Sequence, residues 1–223
     1  MDNLSPLFIS LKTAGMSTLL SFFLGILIAW GVVSMPRRWQ GLVDGVLTLP
    51  LVLPPTVTGF FLLLIFGKNS PVGRFLLSIG IKVVFTVTGA VIAAFVVSFP
   101  LMYRTVKAAL EQIDPDLIYA GRTLGMSESS IFRRVMIPAA LPGIGAGLVL
   151  SFARALGEFG ATLMIAGNLP GKTQTVSLMI YTATAAGDMD LAMKWVAVIV
   201  VISLSSIGLM NLWIDKSRKG RKS

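Results

Sequence analysis

Residues 13–34 read TAGMSTLLSFFLGILIAWGVVS, twenty-two positions without a charge. About 20 mainly apolar residues carry a helix across a hydrocarbon core about 30 Å thick, so this stretch reads as a membrane span. Stretches of the same kind follow at 46–66, 83–103 and 195–214. A fifth, 139–166, is long enough but holds Arg154 and Glu158, which lower its hydropathy. Together they predict an all-α membrane protein, a polytopic bundle of five transmembrane helices forming a single domain over residues 1–223. Residues 169–193 carry Gly171-Lys172-Thr173-Gln174 and Gly187-Asp188-Met189-Asp190 and are too polar for lipid. Within them 176–186 is expected as a short helix or re-entrant piece outside the bilayer or in protein-lined space, with a sixth span as the alternative.

Composition agrees. Of 223 residues, 55% are hydrophobic and 13% charged, about half the roughly 25% charged residues of soluble domains. There is no cysteine and no histidine. That excludes a disulfide scaffold, a Cys/His metal site, and catalysis built on imidazole or thiol. No catalytic, cofactor-binding or metal-ligating residue is expected. An intramembrane enzyme would need Glu158 with Asp44 or Asp188, and these fall at different expected depths.

The net charge of +9 is explained by where the cations fall. With the N-terminus outside, cytoplasmic segments hold twelve Lys and Arg, including Arg37, Arg38, Arg104, Lys107, Arg122, Arg133, Arg134 and the tail Lys216, Arg218, Lys219, Arg221, Lys222. The outer segments hold six. This bias predicts N-out and C-in by the positive-inside rule. A basic tail directly after a span reads as a topology anchor rather than a nucleic-acid patch. The opening residues lack the basic n-region and cleavage site of a removable signal peptide.

Residues 104–138, between the third and fourth spans, read as ordered structure. Asp114 suits a helix cap, Pro115 the first helical position and Asp116 the positive helix end. Gly125 is a stop, Ser127-Glu128 a second start, and Pro138 marks the end of that second helix near Ile137. Two short helices joined by a glycine turn are therefore expected. Their apolar residues, Leu117, Ile118, Leu124, Ile131 and Phe132, either lie back on the membrane helices or dock into a cytoplasmic partner.

Residues 49–58 hold Pro50, Pro54 and Pro55. Each proline removes a backbone donor and clashes with the preceding turn, so the second span is expected to kink or break. Broken helices at membrane depth occur where they line a cavity or are buried in protein. Pro54, Pro55, Thr56 and Thr58 are thus candidates for a pathway lining, with a packing kink as the alternative. Arg154 and Glu158 share a helix face four residues apart. Ionisable residues inside a span are functional candidates, here either as a substrate contact or as a neutralised pair that fixes packing or a gate. Gly143 and Gly147 allow close helix approach, more within one subunit than between two. Residues 166–173 imitate a phosphate-binding loop, but Ala166 stands where its first glycine belongs and the spacing is one residue short.

Several of these stretches resemble a known family. Tyr119-Ala120-Gly121-Arg122-Thr123-Leu124-Gly125 followed by Val135-Met136-Ile137-Pro138 resembles the coupling-loop signature of ABC importer permeases: Glu-Ala-Ala, three residues, Gly, nine residues, Ile, one residue, Leu-Pro. Ala120, Gly125 and Pro138 match in register, and Tyr119 stands in place of the glutamate. Leu49-Pro50-Leu51-Val52-Leu53-Pro54-Pro55-Thr56-Val57, Ser98-Phe99-Pro100-Leu101-Met102, Leu141-Pro142-Gly143-Ile144 and residues 152–162 resemble the molybdate permeases of bacterial ABC transporters, over nearly the whole chain. The last motif is also similar to sulfate and thiosulfate permeases, and the compact layout favours molybdate. The resemblance implies a type I ABC importer fold and a multi-pass permease subunit in the cytoplasmic membrane. It further implies a second copy of the chain, two ABC ATPase subunits that bind ATP and Mg, and an external substrate-binding protein. This chain itself would then be no enzyme. Coupling would fall to Pro115, Asp116, Tyr119, Ala120, Gly121, Leu124, Gly125 and Pro138. The alternatives are a permease for tungstate or sulfate, or a stand-alone anion channel or carrier, which would carry an internal repeat or a pore-lining charge series.

Overall fold

The computed structural model describes residues 4–219, and every element among them is helical. Residues 1–3 and 220–223, with Arg221 and Lys222 of the basic tail, lie outside the described residues. Ser5–Val33 (α1) and Val87–Glu111 (α5) are long enough and apolar enough to cross a membrane, as are Glu128–Leu156 and Met189–Gly208. Arg37–Val52 (α2) and Pro55–Phe66 (α3) form a pair bent by 110°, and together they have the length and composition of a fifth span. The proline-rich stretch therefore breaks its helix, as the sequence predicts. Leu53 and Pro54 are extended, with ψ near 140° and 137°, because each residue before a proline is driven out of the α region.

Two boundaries differ from the sequence reading. Residues 139–166 do not form one continuous span: Ile137–Leu156 (α8) ends at Gly157, and Gly160–Ala166 (α9) starts afresh after a break at 157–159. The buried Glu158 side chain turns back onto the new helix, so the interruption is built by a polar contact that hydropathy does not weigh. Conversely, Pro138 does not end the second loop helix. Glu128–Ile131 (α7) continues through a π-helical turn, Phe132–Met136, into α8. A π turn widens the hydrogen-bond ladder and relieves the clash of a proline ring with the preceding carbonyls. The stretch between the third and fourth spans thus shortens to residues 112–127.

The core is where α1, α5 and α8 meet. Ile26, Ala29, Val32, Phe99, Met102, Tyr103, Val106 and Ile144 are buried there together. Small residues set the spacing: a Cβ on Gly25 would come within 2.8 Å of Met102, and one on Gly143 within 2.4 Å of Ala109. Gly147 faces Met102 and Thr105 in the same way. The Gly143/Gly147 pair therefore packs α8 onto α5 within the chain. The Ser151 hydroxyl donates to the Ser98 carbonyl, and Ser21 and Ser98 hydroxyls meet at 3.5 Å. A second cluster joins α3, α5 and α9 through Leu62, Ala90, Val97, Ala161 and Ile165. Pro71–Ser78 (α4) caps itself with Ser70, which accepts from the Gly73 amide. Val176–Ala185 (α10) is the short helix expected at 176–186, and its first amide donates to the buried Ser10 hydroxyl of α1. Met189–Lys219 (α11) follows and packs on α10 and α8.

Candidate functional site

Two places collect the candidate residues. In the first, Asp114 Oδ1 accepts the Asp116 amide at 3.0 Å and opens Pro115–Thr123 (α6). Ser127 caps α7 by accepting the Ser130 amide. Gly125 joins them with φ +73°, the left-handed conformation that closes a helix without a Cβ. Arg122 grips Glu128 with two hydrogen bonds, Nε to Oε1 at 2.7 Å and Nη2 to Oε2 at 3.2 Å. These bonds raise the Arg122 guanidinium above its ordinary value. The pair bridges the two short helices, although both side chains are solvated and its contribution to stability is small.

The loop faces two ways. Gly121 is buried, and a Cβ there would meet Ile131 at 3.0 Å, while Ile118 and Met126 pack against the core. Leu117, Tyr119 and Leu124 point outward, Leu124 80% exposed. Ala120, Pro115 and Asp116 are exposed as well. The loop's apolar residues are thus divided: Ile118, Ile131 and Phe132 lie back on the membrane helices, while Leu117 and Leu124 are exposed. Pro138 stands apart, exposed in the first turn of α8 beyond the π turn. Because an L-residue pays about 1–2 kcal/mol in the left-handed region, Gly125→Ala is expected to raise amide hydrogen exchange over residues 118–124 about tenfold. Exchange followed by mass spectrometry checks this.

In the second place the two broken spans meet at their breaks. Gly160, the first residue of α9, lies against Pro55 and Thr56, the first residues of α3: a Cβ on it would come 3.1 Å from Pro55 Cβ and 3.2 Å from the Thr56 nitrogen. One turn on, Gly59 touches Ala161 and Met164. Glu158 is 2% exposed. Its Oε2 accepts from Arg154 Nη1 at 2.8 Å, and its Oε1 accepts the Ala161 amide at 2.8 Å. Glu158 therefore pairs with Arg154 and caps α9 at once, a charge-assisted contact at the positive end of a helix. Arg154 keeps 31% of its side chain exposed. Pro54 and Thr56 are exposed, Pro55 is half-buried, and Thr58 is buried with a hydroxyl that has no hydrogen-bond partner among the described residues. Five of the six candidates, Pro54, Pro55, Thr56, Arg154 and Glu158, are gathered around this crossing, and Thr58 turns inward one turn up α3.

Sequence reasoning missed two participants at this crossing. Gly59 and Gly160 set the closeness of α3 and α9, and the signal for them lay in the pairing of one glycine with each proline or carboxylate break. At a separate contact between α2 and α5, Asp44, which the sequence offers only as a catalytic alternative, accepts hydrogen bonds from the Tyr103 hydroxyl and the Lys107 ammonium. No spacing rule connects residues so far apart in the chain.

Residues 21–218 match the family model described as "Binding-protein-dependent transport system inner membrane component". The chain is 44% identical to the putative molybdenum transport system permease protein YvgM of Bacillus subtilis, covering 96% of this chain and 93% of that protein. It is 42% identical to the molybdenum transport system permease protein ModB of Escherichia coli K12, covering 96% and 95%. Among solved structures it is similar to a bacterial ABC transporter that imports alginate, with TM-score 0.78 and 17% identity over 96% of this chain and 79% of that one. That last likeness concerns the fold.

Proposed function

The chain belongs to the family of binding-protein-dependent transport system inner membrane components, and from that premise we propose that it is the membrane permease subunit of an importer for molybdate. The observation that carries the substrate is the 44% and 42% identity, over nearly the full length of both partners, to molybdenum permeases. The rest of the assembly follows from what this chain can and cannot do. Five spans, two of them broken, enclose too little for a gated pathway, so a second copy completes it about a two-fold axis. The energy comes from two ABC ATPase subunits that hold ATP and Mg, and an external binding protein delivers the anion. The chain lies in the cytoplasmic membrane with its N-terminus outside and α6 in the cytoplasm.

The coupling role falls to the outward face of α6 and its turn. Leu117, Tyr119 and Leu124 are large, apolar and exposed on a rigid short helix, the arrangement by which an amphipathic helix docks into a partner's groove. Ala120 leaves room for close approach, and Gly121, Gly125, Pro115 and Asp116 fix the helix ends. With Tyr119 in place of an acidic residue, the contact to the ATPase is aromatic and apolar rather than ionic. The opposite face of the loop is packed on Ile131 and the α1–α5 core, so movement of the partner reaches the membrane helices as a push on a solid body.

The crossing of α3 and α9 serves as pathway lining. Thr56 and the exposed edge of Arg154 offer a hydroxyl and a partly neutralised cation to a tetrahedral dianion. Because Glu158 holds Arg154, the anion is attracted without being trapped, which a conducting site requires. The test is uptake in proteoliposomes containing the permease, its ATPase and a binding protein loaded with molybdate, tungstate or sulfate. ATP-dependent molybdate uptake is the expected result. Selective sulfate uptake would change the substrate, and flux without ATP or ATPase would replace the importer with a channel or carrier.

A further inference from the structure

We propose that Asp44, Tyr103 and Lys107 form a latch that carries motion of the α6 loop to the broken second span; this rests on the importer reading above. The helix α2 is held lightly, with no buried residue along its length. Val43 and Leu47 pack against the core, and between them Asp44 turns to α5. The Tyr103 hydroxyl donates to one carboxylate oxygen and the Lys107 ammonium to the other. Lys107 also reaches Glu111 at 3.4 Å. Tyr103 is fully buried, the Lys107 side chain is 13% exposed and that of Asp44 33%. Asp44 and Lys107 line a cleft of about 270 Å³ together with Gly45, Thr48, Arg104, Ala108 and Glu111.

The position of this cluster gives it its role. Glu111 is the last residue of α5, and Gln112, Ile113 and Asp114 lead from it directly into α6. A displaced α6 therefore moves the last three turns of α5, where Tyr103 and Lys107 sit. Asp44 lies on α2 before the extended residues Leu53 and Pro54, and α3 beyond them is seated on α9 through Gly59. Dragging Asp44 thus swings α2 about the 110° bend while α3 stays seated. Apolar contacts such as Val43 and Leu47 can slide along a neighbour. A carboxylate held at both oxygens fixes one register, the best-attested use of a shielded ion pair.

Asp44, Tyr103 and Lys107 are positioning residues, so the test separates coupling from folding. Molybdate uptake and ATP hydrolysis are read together in proteoliposomes of the complete complex carrying Asp44→Asn, Lys107→Met, Tyr103→Phe or Lys107→Arg. Uptake per ATP hydrolysed is expected to fall about tenfold in Asp44→Asn and Lys107→Met, with hydrolysis retained, and to return to within about twofold of wild type in Lys107→Arg, which keeps the charge. Should the first two variants fail to assemble, Tyr103→Phe removes one donor from the same carboxylate and gives the ratio. An unchanged ratio, or uptake and hydrolysis falling in proportion, overturns the latch. Wild-type proteoliposomes that hydrolyse ATP but take up no molybdate overturn the importer reading instead.

Discussion

Glu158→Ala is expected to lower the apparent Tm of the detergent-purified permease by about 10 °C, measured by tryptophan fluorescence. The change removes two contacts of one buried carboxylate, the ion pair with Arg154 and the cap on the Ala161 amide. Deleting one member of a fully buried pair costs about 3–5 kcal/mol, because the partner charge stays behind uncompensated. Arg154 keeps 31% of its side chain exposed, which brings the cost to about 3 kcal/mol, and each kcal/mol is about 2–4 °C in a chain of this size. Glu158→Gln should fall between, since a neutral carbonyl oxygen still accepts the amide. The discriminating variant is Arg154→Met/Glu158→Gln, which removes both charges and should recover most of the loss. If the double variant melts lower than Glu158→Ala, the pair is not the source of the stability.

Gly59→Val is expected to separate α3 from α9 and abolish uptake. A Cβ at this position would lie 2.7 Å from Ala161 Cα and 2.7 Å from Met164 Cβ. Ala161 Cα is backbone, so no rotamer change makes room, and overpacking costs about 3 kcal/mol. Gly31 is the control: it lies in the interior of α1 with nothing within 4 Å of its Cβ direction. Gly31→Ala should therefore be neutral or stabilising by about 0.5–1 kcal/mol, through helix propensity alone. Equal loss of melting temperature in both variants would show that the α3–α9 contact is not the tight point.

The spans were legible because lipid demands long apolar helices, and residues 13–34, 83–103 and 195–214 satisfy that demand with little interruption. The break at Pro54 and Pro55 was legible for a local reason, the missing donor and the steric effect of each ring. So were the caps Asp114 and Ser127 and the turn at Gly125, each a decision made within four residues of sequence. What sequence did not reveal depends on partners distant in the chain. Glu158 ends α8 because its carboxylate prefers the amide of the next helix, and Pro138 continues a helix because a π turn precedes it. The apposition of Gly160 with Thr56, and of Asp44 with Lys107, exists only once α3, α5 and α9 have found their places.

The π turn at Phe132–Met136 sets a phase between two halves of one rod. Ile131, Phe132, Met136, Ala140, Ile144, Gly147, Ser151 and Ala155 are buried along it, and the step from Ile131 to Met136 is five where the later steps are three or four. That extra position lets Ile131, and Phe132 with its ring stacked at 4.3 Å on Trp30, face the same wall as the residues that α8 presses onto α5. One residue is about 100° of helical rotation. A chain shortened by one position there would keep its hydropathy, its charges and its loop motif, yet present Leu117, Tyr119 and Leu124 to the wrong compass bearing. Length in this stretch is therefore under tighter constraint than composition.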